Sequence, residues 1–297
     1  MRYDIQLKLH YDYDHPVVGG RQLLRVQPSG HAPHQRVIAS SLSFEPDPDE
    51  RIDRADFFGT PTTTVVLRSS HDRFEALMRA RVHLDHPAMG DDRSATLPQL
   101  AAALDQRHSM TGDSPHHFLG DSPLAARAPE IEAYAAETLS GCSSVRQMAG
   151  RLCHRIWSDF AYEGDLTSVD TSAQIAFALR KGVCQDFAHV MIAGLRSQGI
   201  PAAYVSGYLR TIPPPGEERM EGADAMHAWV RVFCGGEDGW IAFDPTNDMI
   251  ALNDHIVVGQ GRDYLDVLPI VGVLKMTGPQ SAGQAVDVIP LDDDETD

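Results

Sequence analysis

Residues 182–209 read GVCQDFAHVMIAGLRSQGIPAAYVSGYL. Two periodicities meet in this stretch. Phe187, Val190, Met191 and Leu195 fall at i, i+3, i+4 and i+8, one face of a helix that stops at Gly199. Ala202–Arg210 then reads as a strand. Cys184 stands at the tip of the helix, two residues after Gly182, whose missing side chain lets the backbone bend sharply. A thiol there faces unpaired backbone N–H groups and the positive end of the helix dipole. Both favour the reactive thiolate, and the same amides suit an oxyanion. A lone free cysteine is more often a small buried apolar residue, so the reading depends on its partners.

Those partners lie downstream. HAWVRVF (227–233) and WIAFD (240–244) both alternate, and six turn-forming residues, CGGEDG, join them. Pairing Phe233 with Trp240 sets His227 opposite Thr246 and makes Asp244 its diagonal neighbour on the same face, ~7–8 Å away along the backbone. The other face carries Ala228, Val230, Val232, Ile241 and Phe243, an apolar set. His227 and Asp244 then share the polar side, provided that no odd residue in the loop shifts the parity. A helix-tip Cys, a strand His and an Asp on the same face form a nucleophile–base–orienter pattern.

Working outward, Pro129–Leu139 and Ser144–Phe160 have helical spacing, with Ser143 or Ser144 capping the second. Thr171–Arg180 is a shorter helix capped by Asp170 or Thr171, and strands recur at Val271–Met276 and Ala285–Ile289. Helices first and strands after give an α+β segment. The first 90 residues are β-rich. Arg2–Tyr11, Arg21–Val26, Arg36–Phe44, Thr63–Leu67 and Phe74–Leu84 read as strands separated by VVGG, QPSGHAP, EPDPDE and FFGTP, an antiparallel sandwich or barrel. The expected organisation is a β domain over 1–90, a mixed segment over 91–127 with one short helix, a second domain over 128–291 and an acidic tail over 292–297.

Net charge is −17 and no basic run exists to neutralise phosphates, which argues against nucleic acid as a partner. The acidity reads as a solubility surface, or more sharply as a preference for amine-bearing substrates. No apolar stretch approaches a membrane span, and the first residues lack a signal-like apolar block. The expected location is the cytoplasm. Cys142, Cys153, Cys184 and Cys234 form no CxxC pair, which disfavours a thiolate zinc site and, in a reducing compartment, disulfides. His116-His117 and the Asp-His-Pro triplets at 14–16 and 85–87 read as loop residues. No metal and no cofactor is expected.

The run around Cys184, ADAMHAWVRVF (223–233), GWIAFDPTND (239–248) and HIVVGQGRDYLDVLPIVGV (255–273) together resemble the bacterial transglutaminase-like family, papain-type proteins whose core carries Cys, His and Asp in that chain order. The resemblance implies that the second domain packs helices on an antiparallel sheet behind an N-terminal β domain. It implies Cys184 as nucleophile, His227 as general base and Asp244 as the orienting acid. Gln185, Trp229, Tyr162 and Asp186 are supporting or pocket candidates, Asp186 as a helix cap and Trp229 as a cleft wall. His255, Arg262, Asp263 and Tyr264 resemble positions near the site, without a role assigned by the residues themselves. Met226 departs from the small polar residue usual before the His. His189, further along the Cys184 helix, reads as a buried hydrogen-bonded residue. The implied activity is hydrolysis of a peptide or protein amide through a thioester. Acyl transfer to a primary amine uses the same three residues, and a non-catalytic binding scaffold or a metal-dependent hydrolase are readings of other classes.

Overall fold

The computed structural model describes residues 1–164, 166–211, 222, 224–275 and 277–291. The β-rich start is built on two very long strands. β1 (Arg2–Leu24) is flanked by β4 (Pro61–Leu84), which in turn pairs β2 (Gln35–Glu45) and β3 (Glu50–Ala55), all antiparallel. The sequence predicts a turn at VVGG and two strands in each long run. Instead β1 stays continuous, and register shifts between Asp12 and Val17 and between Val18 and Gly20 absorb the extra residues, as bulges do. Along the first half of β1, Tyr3, Ile5, Leu7 and Leu9 alternate inward and are all buried.

After α1 (Leu97–Asp105), whose Thr96 cap accepts the Gln99 N–H, the helices come in succession. α2 (Pro129–Leu139) and α3 (Val145–Asp159) lie where their spacing predicts, with the Ser144 hydroxyl accepting the Gln147 N–H at 3.2 Å. β5 (Ala161–Tyr162) follows, then α4 (Ala173–Leu179), capped by Ser172 rather than by Asp170 or Thr171. β6 (Lys181–Gly182) leads into α5 (Cys184–Ser197). Next come β7 (Ala202–Leu209), β8 (Ala225–Gly235), β9 (Gly239–Asp244), β10 (Met249–Ile250) and β11 (His255–Gly261), which form an antiparallel sheet in the order β10-β9-β8-β7-β11. Phe233 pairs Trp240 in the register that the alternation predicts. Ala228, Val230, Val232, Ile241 and Phe243 do join the core under the helices.

The last two strands depart from the expected division. β12 (Ile270–Leu274) and β13 (Gln280–Leu291) both pair with β1, β13 from Arg2↔Leu291 to Tyr13↔Gln280. Residues placed by sequence in the second domain therefore complete the first sheet. Tyr208, Ile256 and Val258 of the second sheet are buried in the same apolar cluster as Tyr3, Ile5 and Leu7, so the two sheets share a core. No helix among the described residues is long and apolar enough to cross a membrane. The expected acidic tail lies outside the described residues.

Candidate active site

α5 is the centre of the site, and it is more deeply set than its pattern predicts. The spacing marks one apolar face, yet every residue from Gln185 to Arg196 is buried. α2, α3 and α4 pack on one side of it and β7 and β8 on the other. Its polar members are therefore all fastened. Arg196, 1 % exposed, donates to the carbonyls of Phe118, Ala202 and Arg262 and to the Ser122 hydroxyl, which anchors the far end of the helix. His189 is fully buried and accepts the Tyr264 N–H on Nε2 at 3.2 Å. Burial, with Arg196 nearby, pushes its pKa down to about 3, so it is a neutral structural residue.

The near end is shaped to present Cys184. β5 and β6 pair in parallel, with Glu163 N–H on the Gly182 carbonyl and Ala161 N–H on that of Arg180. Gly182 then bends at φ +156°, and a Cβ there would meet Asp186 Oδ2 at 2.4 Å. Asp186 uses that oxygen to accept the Val183 N–H at 2.8 Å and the Thr167 hydroxyl at 2.7 Å, so it caps the helix. Burial raises its pKa despite these donors. The N–H groups of Asp186 and Phe187 turn back to the Val183 carbonyl, which leaves those of Cys184 and Gln185 outside the helical ladder. The Gln185 side chain does not enter the site. It is buried and donates to the Val169 carbonyl at 3.0 Å. Tyr162, 61 % exposed, stands edge-on to Phe187 and close enough to Cys184 to feel its charge.

His227 and Asp244 meet as the register predicts, through His227 Nε2–H donating to Asp244 Oδ2 at 2.8 Å. Their face, read from the sequence as the polar side, is covered. It is buried, because Trp229, Val205 and Ala251 pack over it. The Trp229 indole stacks on the His227 ring with centroids 6.1 Å apart at 29°. Gly207, paired with His227, makes that packing fit, since a Cβ there would fall 2.0 Å from the Ile256 carbonyl oxygen and 2.5 Å from the indole. Met226 turns the other way, onto the core of the first sheet.

Asp244 is fully buried and heavily bonded. Oδ1 accepts the N–H groups of Thr246 and Asn247. Oδ2 accepts His227, the Asn247 amide at 2.7 Å and a second imidazole, His255 Nε2–H, at 3.0 Å. Burial favours a neutral carboxyl, but these donors outweigh it and hold Asp244 well below the usual carboxylate range. His227 shows the complement. Burial works against its charge, yet Asp244 and Cys184 together raise it to about 10. The imidazole thus lies between a buried carboxylate and the thiol.

His255 and Asn247 are the residues that sequence reasoning leaves without a role. Both act through Asp244, His255 from β11, which β8 and β7 separate from the Asp244 strand β9. Only the strand order reveals that neighbourhood. His227, Asp244 and His255 also form a group of possible metal-ligand atoms, all within 4.8 Å of one another. His116 and His117 instead bond the carbonyls of Arg107 and Met110. The Asp-His-Pro triplet at 14–16 lies within β1 rather than in a loop.

Comparison with known proteins agrees with this architecture. Residues 132–245 match the transglutaminase-like superfamily, and residues 3–83 match the bacterial transglutaminase-like N-terminal region. An uncharacterised protein of Mycobacterium tuberculosis is 33 % identical over 299 residues, covering 99 % of this chain and 94 % of the relative. A Pseudomonas aeruginosa protein-glutamine gamma-glutamyltransferase is 31 % identical over 122 residues, 40 % of this chain and 18 % of that protein. Among solved structures, a Cytophaga hutchinsonii protein described as a candidate cysteine protease superposes with a TM-score of 0.75 at 22 % identity, covering 100 % of this chain and 92 % of its own.

Proposed function

Proceeding from the fact that this chain belongs to the transglutaminase-like superfamily, we propose that it is a cysteine-nucleophile hydrolase of peptide or protein amides. The observation that carries the proposal is the His227 ring, hydrogen-bonded to buried Asp244 at 2.8 Å, with Asp244 and Cys184 both favouring its charged form. The Cys184 thiolate, paired with the His227 imidazolium, attacks the amide carbonyl. The free N–H groups at the start of α5 receive the oxyanion. His227 gives its proton to the departing amine, leaving a thioester on Cys184. His227 then takes a proton from water, the hydroxide attacks the thioester, and the acid and the thiol are released. Asp244 stays ionised throughout and keeps Nε2 of His227 as the donor, so that Nδ1 serves the reaction.

Water is the acceptor favoured by the surroundings, since Cys184 is only half-buried and Tyr162 beside it is largely exposed. A primary amine in place of water would make the enzyme an acyltransferase. The likeness to the Pseudomonas aeruginosa gamma-glutamyltransferase supports that second reading. Intact-mass analysis of Gln-containing peptides, incubated with and without a primary amine, separates the two. Cleavage or deamidation that ignores the amine supports hydrolysis. A mass gain equal to the amine minus ammonia supports transfer. No change in any peptide, with Cys184 unmodified, would favour a binding scaffold.

A further inference from the structure

A cavity among the described residues does not contain Cys184 or His227. It has a volume of about 450 Å³ and lies over the other part of the same sheet face, roofed by segments near residues 31–34 and 86–91. That size is within the range of small-molecule sites. Its wall is mostly apolar: Trp229, Trp240, Ala242, Ile250 and Val257 contribute to it. Trp229 is common to both places, since its ring also stacks on His227.

Set into this wall, among the described residues, is one cation without an anion. Arg231 lies two residues after Trp229 on β8 and so points to the same face. Nη1 donates to the Gln260 side chain at 2.8 Å, and the guanidinium rests over Trp240 at 5.0 Å from the ring centre. Of its five N–H donors, no other finds an acceptor among the described residues, and no carboxylate lies within ion-pair distance. Asp113 acts on it only from farther away, and burial lowers its pKa to about 10, so it is charged at neutral pH. The other arginines at the cavity are already matched. Arg93 pairs with Glu237 at 2.8 Å and Arg146 with Asp238 at 3.7 Å. A half-buried cation without a counter-charge is destabilising unless something supplies one.

We propose that this cavity binds a small organic carboxylate with an apolar body, its carboxylate on Arg231 and its body against Trp229, Trp240 and Val257. One unpaired guanidinium fits one carboxylate, which it can meet with two parallel hydrogen bonds. A phosphate monoester would bring a second negative charge into a protein of net charge −17 with no second free cation at the site among the described residues. The site is separate from the proposed chemistry at Cys184 and does not depend on it.

The probe is octanoate, with octanamide as its uncharged equivalent in shape, titrated into the full chain by calorimetry and tryptophan fluorescence. Two of the three tryptophans line the cavity. Octanoate binds saturably and octanamide about tenfold more weakly, the difference expected for losing one charge-assisted hydrogen-bonded pair. Arg231→Gln binds the two alike, whereas Arg231→Lys keeps the preference. Ala242→Leu, opposite Arg231 on β9, fills space while keeping the charge, and weakens both ligands. Equal binding of the two ligands to the wild type, no octanoate binding, or a preference that survives in Arg231→Gln would overturn the proposal. Should Arg231→Gln fail to fold by circular dichroism, the wild-type comparison and Ala242→Leu still decide it.

Discussion

Asp244 explains most of what the site residues do individually. A carboxylate buried completely needs several donors to remain charged, and here five converge on its two oxygens. His255 is one of two imidazoles among them, yet it does not touch the thiol. It is a positioning residue that fixes where Asp244 can hold His227. Replacing it with Ala removes a hydrogen bond to a charged group, about 1.5–3 kcal/mol, and leaves Asp244 freer to rotate. We expect His255→Ala to slow alkylation of Cys184 about tenfold at neutral pH, with His255→Gln recovering part of the rate because its amide can still donate. An unchanged rate in His255→Ala would remove His255 from the site. The raised His227 pKa makes a stability prediction of definite sign. Its unfolded value is near 6.5 and its folded value about 10. Its interactions therefore stabilise the fold fully below pH ~6.5, and that contribution is lost as pH rises through about 10. Thermal melts of the wild type should fall across this window, and those of His227→Gln should fall less. Parallel curves for the two proteins would contradict the assignment.

At the scale of elements, local signals were legible and neighbour relations were not. α2 and α3 could be read because caps and spacing are contained within each helix, as with Ser144 on Gln147. The β8–β9 register could be read because a short loop ties the two strands and alternation sets the parity. That brought His227 and Asp244 together. The burial of the His227 face could not be read, because its cover comes from β7, β11 and the residues after β10. Nor could the full burial of α5, whose surroundings are distant in sequence. Gly207 is the clearest case: nothing next to it in sequence requires a glycine, but Ile256 and Trp229 leave no room for a Cβ. Gly207→Ala should lower unfolding free energy by about 1–3 kcal/mol, as overpacking does, and should also slow Cys184 alkylation by displacing Trp229 from His227. Urea denaturation and labelling of one preparation test both. Wild-type stability in Gly207→Ala would mean that β7 and β11 lie farther apart than described.

At the scale of the whole molecule, the return of β12 and β13 to β1 is what ties the site to the first 90 residues. Strand pairing over more than 250 residues leaves no trace in local pattern, so the expected border at residue 90 separated strands that share one sheet. The consequence is that the N-terminal sheet does not stand alone. A chain ending at Leu268 loses both strands and uncovers the edge of β1 along Arg2–Tyr13 and Gly20–Leu24. Exposed edges of this length promote aggregation. Such a truncation should be insoluble or lose the cooperative melt. A soluble, cooperatively folding product would show that the sheet does not need its C-terminal strands.

The central claim is that Cys184 is singled out among four cysteines by its helix tip and by His227. The protein contains its own controls. Cys153 and Cys234 are buried, and burial raises both thiols. Cys142 is half-buried, as Cys184 is, but lies outside the site. The direct measurement is the rate of iodoacetamide labelling of each cysteine at pH 7, resolved by peptide mass spectrometry in the wild type and in His227→Asn. The account predicts that Cys184 labels at least about tenfold faster than Cys142, and that His227→Asn removes the difference. Equal rates at Cys184 and Cys142 in the wild type would contradict it.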